Sequence, residues 1–154
     1  MLLAGVGVLA SAARPATAQQ SIAMGTSVTG TLTAADPVLP SDSSHYKLFT
    51  FYGTAGQTVE IRLVSSDFDA YVYLRDQNGQ IIAQDDDSGG GLNALIFCPL
   101  PRTGTYQILA NAQRANEYGT FTLSLAATVD RVVRTPTPTP AQPPPVHEPV
   151  GATP

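Results

Sequence analysis

The sequence DFDAYVYLRDQNGQIIAQDDD, from Asp67 to Asp87, decides the fold of this chain. Apolar and polar residues alternate along its first half, which is the pattern of a β-strand with one buried face. The stretch also holds six aspartates and one arginine, whereas the net charge of the whole chain is only −4. We therefore predict a strand with one core face and one functional face. The predicted core face is Phe68, Ala70, Val72 and Leu74, and the opposite face is Asp67, Asp69, Tyr71, Tyr73 and Arg75.

The second half of the stretch predicts a β-hairpin. Asn78-Gly79 supplies the positive φ angles of a type I′ turn, and a short apolar return strand follows it. We expect Ala83 and Gln84 to pair with Ala70 and Tyr71, so that the next aspartates arrive near the start of the first strand. The sequence DDDSGGG after the hairpin indicates a loop, because like charges repel and glycines resist regular structure.

Outside this stretch the chain continues as short strands. No segment shows a sustained helical period, whereas β-branched and aromatic residues recur in alternating runs that end at Gly, Asn, Asp or Pro. Val59, Ile61 and Leu63 form one such inward set, and Phe121, Leu123 and Leu125 form another. About eight strands in one domain predict an all-β fold, an antiparallel two-sheet β-sandwich. A jelly-roll-like topology fits this number of strands, although strand spacing alone does not determine it.

The two ends of the chain have compositions unlike the middle. Residues 1–18 are apolar and end in Ala16-Thr17-Ala18, which predicts a signal peptide too short to span a bilayer. An apolar N-terminus without a leader function is the alternative. Residues 19–130 form the predicted sandwich domain. Residues 131–154 are proline-rich and predict an extended tail or linker, whose role the sequence leaves open.

Composition excludes several classes of function. Lys47 is the only lysine, and no basic stripe exists that would bind nucleic acid. The single cysteine, Cys98, lies in an apolar run, which favours a small buried side chain over a reactive thiol. We expect a monomer without a membrane span in the mature chain, located outside the cytoplasm as a secreted, periplasmic or cell-surface protein.

The order of several segments resembles the bacterial pre-peptidase C-terminal domain family. These segments are 56–63, 67–74, 79–87, 100–108 and 118–125, which include GQTVEIRL, DFDAYVYL and GTYQI. The resemblance implies a secreted β-sandwich module of the kind appended to proteases and other exported enzymes. Relatives include the collagen-binding domains of clostridial collagenases. The family therefore implies binding, targeting or maturation of a neighbour, and not catalysis.

The acidic residues predict a calcium site. Calcium binds six to eight oxygens of carboxylates, amides, carbonyls and water. A sandwich edge that gathers the aspartates of both arms would otherwise place like charges together. Turn capping by the aspartates or a solvated charged rim are the alternatives. The predicted metal ligands are Asp67, Asp69, Asp85, Asp86, Asp87 and Asn93.

Tyr71 and Tyr73 predict a contact surface on the outward face of the strand. Their Cα atoms are about 7 Å apart, and exposed aromatics at this spacing can stack on sugars or lie against an extended peptide such as collagen. The alternative is that a loop or the edge of the second sheet covers this face.

A catalytic role is weakly indicated. Asp87-Ser88-Gly89-Gly90 resembles the sequence around the nucleophile of chymotrypsin-like proteases. That chemistry needs a histidine base oriented by a buried aspartate, and His45 has an unrelated context. We expect no enzyme activity. The predicted function is a secreted binding or targeting module, possible ligands being an extracellular protein, a polysaccharide or a surface partner. The alternative is an accessory or chaperone-like module that assists the secretion or maturation of an exported hydrolase.

Overall fold

The protein is described by a computed structural model that covers residues 19–128. The predicted signal peptide and the predicted proline-rich segment both lie outside these residues. The described chain consists of nine β-strands joined by turns and loops. They are β1 (Gln20–Ser21), β2 (Thr26–Leu32), β3 (Tyr46–Gly53), β4 (Thr58–Val64), β5 (Ala70–Arg75), β6 (Ile81–Asp85), β7 (Ala94–Pro99), β8 (Gly104–Ala112) and β9 (Gly119–Thr128).

The strands form two sheets packed face to face. One sheet has the order β1-β3-β8-β5-β6 and the other has the order β2-β9-β4-β7. All neighbouring strands are antiparallel except β1 and β3, which are parallel. Only β5 and β6 are consecutive strands of one sheet, and every other connection crosses to the opposite sheet. The prediction of an antiparallel, jelly-roll-like β-sandwich is confirmed.

The core lies between the sheets and is built by the predicted alternation. Phe68 is 5 % exposed, and Ala70, Val72 and Leu74 are fully buried. The inward sets of β4 and β9 are buried as well, as is the side chain of Cys98. Strands such as β4, β5 and β9 thus remove rows of apolar side chains from water, which is the main driving force for assembling the two layers.

Gly30 of β2 is required by the packing of the core. A Cβ atom at this position would overlap the tip of the Phe121 ring. That ring cannot easily move away, because it packs edge-on against Phe49 and Phe68, with ring centroids 6.2 and 6.4 Å apart. A strand glycine that admits the close approach of a neighbouring side chain explains the break in the apolar pattern of β2.

Two features of the fold differ from the sequence prediction. The two-residue strand β1 carries no alternation and was not predicted, since backbone pairing with β3 alone defines it. The polar residues at 111–117 predict a loop, but Asn111 lies in β8 and is only 1 % exposed. Its amide exchanges hydrogen bonds with the Ser44 hydroxyl, which satisfies the buried polar group.

Candidate functional site

The hairpin between β5 and β6 closes through three residues, 77–79. The backbone N–H of Gly79 donates to the carbonyl of Asp76 at 3.0 Å, and Gly79 has a φ of 79°. Asn78 has no positive φ, so the expected type I′ turn is wrong and the loop is a type I turn followed by a left-handed glycine. The Asp76 carboxylate accepts from the backbone N–H groups of Asn78 and Gln80, which stabilises this turn.

The register of the hairpin also differs from the prediction. Ala83 pairs with Leu74 and Gln84 pairs with Tyr73, so the expected pairing with Ala70 and Tyr71 is wrong. The loop length sets this register, and a bulge after Leu74 adjusts it by one residue. Asp85 consequently lies opposite Val72, and the acidic run begins there and continues past Tyr71.

Asp67 is hydrogen-bonded to the opposite sheet, and none of its hydrogen bonds within residues 19–128 reaches the acidic loop at residues 85–91. Its carboxylate accepts hydrogen bonds from the backbone N–H and the hydroxyl of Thr120 in β9, both at 2.7 Å. These two bonds lower the pKa of the Asp67 carboxyl below its ordinary value. Gly119 makes the contact possible, because a Cβ atom there would overlap the Asp67 side chain. The carboxylate therefore joins the chain before β5 to the start of β9.

Asp85 and Asn93 also make hydrogen bonds that hold backbone in place. The Asp85 carboxylate accepts from the backbone N–H of Leu95 in β7 at 2.8 Å, and from the Ser88 hydroxyl at 2.5 Å. The Asn93 side-chain oxygen accepts from the backbone N–H of Ser65, and its nitrogen donates to the carbonyl of Gly90. Both side chains connect the acidic loop to the four-stranded sheet, which leaves them less free to coordinate an ion.

The remaining three predicted ligands, Asp69, Asp86 and Asp87, lie near one another. Gln113 joins two of them, since its side chain donates to Asp86 at 3.3 Å and its backbone N–H donates to the carbonyl of Asp69. One carboxylate oxygen of Asp69 is buried without a hydrogen-bond partner. Asp87 is exposed, yet partial desolvation and the charges of Asp86, Asp69 and Asp85 raise the pKa of its carboxyl. These carboxylates repel one another.

Within residues 19–128, no three Asp, Glu, His or Cys side chains lie close enough together to hold a metal ion as they stand. The fold thus separates the six predicted metal ligands into two sets. Asp67, Asp85 and Asn93 serve backbone amides, whereas Asp69, Asp86 and Asp87 form an acidic group at the sandwich edge.

Tyr71, Tyr73 and Arg75 form a row along the outward face of β5, which we call the tyrosine ladder. The rings of Tyr71 and Tyr73 have centroids 4.7 Å apart and are tilted by 37°. The guanidinium carbon of Arg75 lies 5.9 Å from the centroid of the Tyr73 ring. All three side chains are partly exposed. Partial burial is the main cause of a raised pKa of both tyrosine hydroxyls.

The loop between β2 and β3 covers part of the same sheet face beside the ladder. Leu39 is 6 % exposed and Ser44 is fully buried against β8, where Leu109 is also fully buried. The charge of Asp42 in this loop contributes to the raised pKa of Tyr71 and Tyr73, which places the loop near both rings. The loop therefore covers the tyrosine ladder only in part, and the outer edges of its side chains remain accessible.

The chain is similar to known proteins in both sequence and fold. Residues 45–112 match the family model of the bacterial pre-peptidase C-terminal domain. This region is similar to a pre-peptidase C-terminal domain. The resemblance inferred from the segment order is confirmed, and the acidic hairpin and the tyrosine ladder both lie inside the matched residues. No curated protein matches the sequence.

Two solved structures share the fold of this chain. The pre-peptidase C-terminal domain of Bacillus anthracis collagenase has 16% sequence identity and a TM-score of 0.53, and the match covers 70% of this chain and 93% of the other. The periplasmic inhibitor of g-type lysozyme from Aeromonas hydrophila, PliG, has 18% identity and a TM-score of 0.52, with 72% and 100% covered. These likenesses establish the fold and leave the ligand open.

The pre-peptidase C-terminal domain is a non-catalytic β-sandwich module found in secreted proteases. The prediction that this domain is not an enzyme is thereby confirmed. Its geometry agrees, because the Ser88 hydroxyl donates to Asp85, and the His45 ring packs edge-on against Tyr118 with centroids 5.0 Å apart. Domains of this family are extracellular or periplasmic. In residues 19–128 there is no helix of the length and apolarity that a membrane crossing requires.

Sequence reasoning missed two residues of this region. The alternation of the strand places Arg75 on the outward face, but it does not indicate that the guanidinium group lies over the Tyr73 ring. Asn111 begins a polar run that predicts a loop, whereas the structure places it on the outward face of β8 with the buried Leu109. Only the loop that covers them explains their burial, and the sequence carries no signal for that long-range contact.

Proposed function

We propose that this domain is the binding module of an exported protein, and that it holds an extended peptide segment of a partner protein against the tyrosine ladder. The observation that carries this proposal is the row of two partly exposed tyrosines and one arginine on a single strand. Side chains that repeat every second residue of a strand match the repeat of an extended peptide laid along it.

The arrangement of the rings favours a peptide over a sugar. Stacking on a sugar requires an open ring face, whereas the Tyr71 and Tyr73 rings lie against each other and Arg75 lies over Tyr73. The accessible parts are the ring edges and the hydroxyl groups. Hydroxyls can exchange hydrogen bonds with the backbone of a peptide, and ring edges pack against its apolar side chains.

The comparisons add support for a protein ligand. One of the similar structures belongs to a collagenase, and the other is an inhibitor of g-type lysozyme. We therefore choose insoluble collagen and immobilised g-type lysozyme as protein probes. Chitin and cellulose serve as polysaccharide probes of the same assay.

The test is a retention assay of the purified protein on the four probes. We expect the wild-type protein to be retained on a protein probe. In the double variant Tyr71→Ser/Tyr73→Ser the affinity should fall at least about tenfold, which is equivalent to about 1.4 kcal/mol of binding free energy. Tyr52→Ser is the matched control, because Tyr52 is 68 % exposed on β3 of the same sheet and lies outside the ladder. Both variants should keep the wild-type melting temperature within a narrow range, since neither removes a core side chain.

Two results would reject the proposal. Retention on chitin or cellulose alone would replace the peptide ligand by a polysaccharide. Equal retention of the ladder variant and the Tyr52 control would move the binding surface elsewhere. Absence of retention on all four probes, together with co-purification of a hydrolase from the native secretion medium, would support the accessory-module alternative.

We further propose that calcium binds at the acidic group of Asp69, Asp86 and Asp87. The support is the buried carboxylate oxygen of Asp69 without a partner, together with the partial desolvation and the repulsion by neighbouring carboxylates that raise the pKa of Asp87. A divalent cation would supply the missing partner and offset the repulsion. The three carboxylates would have to approach one another, and the glycines at 89–91 give the loop that freedom.

Calcium binding is tested by melting the protein in millimolar calcium and in chelator. We expect a higher melting temperature with calcium, because a ligand that binds only the folded state stabilises it. Asp69→Asn should remove the difference, whereas Asp76→Asn, in the hairpin turn, should preserve it. An unchanged melting curve and no heat of binding in calorimetry would reject the calcium site.

A further inference from the structure

Arg75 has no acidic partner in the part of the chain that the structure describes. Ion pairs there join Lys47 to Asp36, Arg62 to Glu60 and Arg114 to Glu117, and none includes Arg75. The Nε atom of Arg75 is buried and makes no hydrogen bond. Among residues 19–128 no protein oxygen accepts a hydrogen bond from the guanidinium group, which lies next to the Tyr73 ring.

An arginine in this state has a strong preference for an anionic acceptor. A buried donor without an acceptor is unfavourable, and such groups are rare in folded proteins. The guanidinium is always charged and presents its N–H groups as a planar fork, which matches a carboxylate in a bidentate pair. The contact with Tyr73 also restrains the side chain, so less conformational freedom is lost when an acceptor arrives.

The cross-strand neighbours of Arg75 carry no charge that would occupy that acceptor position. Its neighbour across the sheet is Gln107 in β8, and the next residue in the same row is Thr50 in β3. Both are uncharged, so they do not compete as acceptors of an ion pair. Asp86 lies at the opposite end of the ladder, where its charge contributes to the raised pKa of Tyr71. Acidic side chains thus lie near the tyrosines, with Asp42 close to both rings, whereas the positive charge of the ladder lies at the Arg75 end.

We propose that Arg75 anchors a carboxylate side chain, Asp or Glu, of the extended peptide segment that lies on the tyrosine ladder. This inference rests on the proposed function and adds the chemistry that selects the partner. The carboxylate must lie at the Arg75 end of the segment, since Asp86 would repel it at the Tyr71 end. Arg75 is thus the residue that determines specificity, while the tyrosines supply the apolar contact.

The experiment uses two short extended peptides, Ac-Pro-Pro-Glu-Pro-Pro-amide and its counterpart with Gln in place of Glu. Prolines keep both peptides extended, so they differ only in charge. Binding to the full chain is followed by NMR through the tyrosine ring signals and the Arg75 Nε–H signal. We expect the Glu peptide to bind about tenfold more tightly, because a hydrogen bond to a charged group contributes more than a neutral one.

Variants identify Arg75 as the source of the preference. Arg75→Gln should bind both peptides equally, and Arg75→Lys should keep part of the preference because it retains the charge but not the fork. Arg114→Gln is the matched control, as it removes the same charge from a side chain that is 72% exposed outside the ladder. It should keep the full tenfold preference. Melting curves show whether each variant is folded.

The outcomes separate this inference from the proposed function. If both peptides perturb the tyrosine signals with equal affinity, the ladder binds peptides but Arg75 does not select a carboxylate, and the inference fails alone. The same conclusion applies if Arg75→Gln retains the preference for Glu. If neither peptide perturbs the tyrosine signals, the peptide surface itself is wrong and both proposals fail together.

Discussion

The carboxylate of Asp67 accepts the backbone N–H of Thr120, although the two residues are 53 positions apart and belong to opposite sides of the sandwich. Asp67 precedes β5 of the five-stranded sheet, and Thr120 lies in β9 of the four-stranded sheet. Asp85 makes the equivalent connection from the end of β6 to Leu95 of β7. Two aspartates that the sequence suggested as metal ligands therefore join the two layers of the fold.

Replacement of Asp67 by Asn should lower the stability at neutral pH. The pKa of the Asp67 carboxyl is lower in the folded state, so its ionised form stabilises the fold above the ordinary pKa of 3.8. This contribution is lost as the pH falls through the folded-state pKa. Urea denaturation at pH 7 and at pH 3 should show a difference between wild type and Asp67→Asn that shrinks at the lower pH. A constant difference would contradict the assignment.

Replacement of Asp87 by Asn should have the opposite effect. Partial desolvation and neighbouring carboxylates raise the pKa of Asp87, so its charged form destabilises the folded state above that raised pKa. In calcium-free buffer, Asp87→Asn should melt higher than wild type at pH 7, and the gain should vanish below about pH 3.8 as the wild-type carboxyl becomes protonated. A lower melting temperature of the variant at pH 7 would show that Asp87 makes a stabilising contact.

Removal of the Asp85 side chain should loosen the edge of the sandwich. In Asp85→Ala the backbone N–H of Leu95 loses its acceptor, and we expect a loss of about 1–2 kcal/mol in the free energy of unfolding. Hydrogen exchange of the Leu95 amide should accelerate more than that of amides in β9. Gln84→Ala is the control, because the adjacent Gln84 is exposed and makes no side-chain hydrogen bond within the described residues. Equal effects of the two variants would rule out the contact.

Substitution of Gly30 by Ala should destabilise the core by about 1–3 kcal/mol, the range seen for overpacked interiors. The added methyl group would overlap the Phe121 ring. A second substitution, Phe121→Leu, should be less harmful in the Gly30→Ala background than in wild type, because it vacates the space that the methyl group needs. A double-mutant cycle by urea denaturation measures this coupling, and strict additivity would argue against the contact.

Local alternation was sufficient to predict the strands and their buried faces. Each inward set, such as Val59, Ile61 and Leu63, is determined by the pleat of its own strand and needs no knowledge of the partner. Asn78-Gly79 correctly located the hairpin, but the predicted turn type and the predicted register were wrong. The same dipeptide also fits a three-residue loop with a left-handed glycine.

The division of the acidic residues could not be predicted in the same way. Whether Asp67 faces its neighbouring aspartates or a distant amide depends on how β9 enters the other sheet, and Gly119 provides the space for that approach. The burial of Asn111 likewise depends on Ser44, which a separate loop brings to it. These contacts join residues more than 50 positions apart, and no local pattern encodes them.

The strand order has a consequence for the time at which the protein can fold. The last described strand, β9, lies between β2 and β4, and β8 lies between β3 and β5. Both sheets therefore lack a central strand until the end of the domain has been synthesised, and pairs such as β2 with β9 require the closure of a very long loop. A growing chain of this topology stays unfolded until translation of the domain is complete.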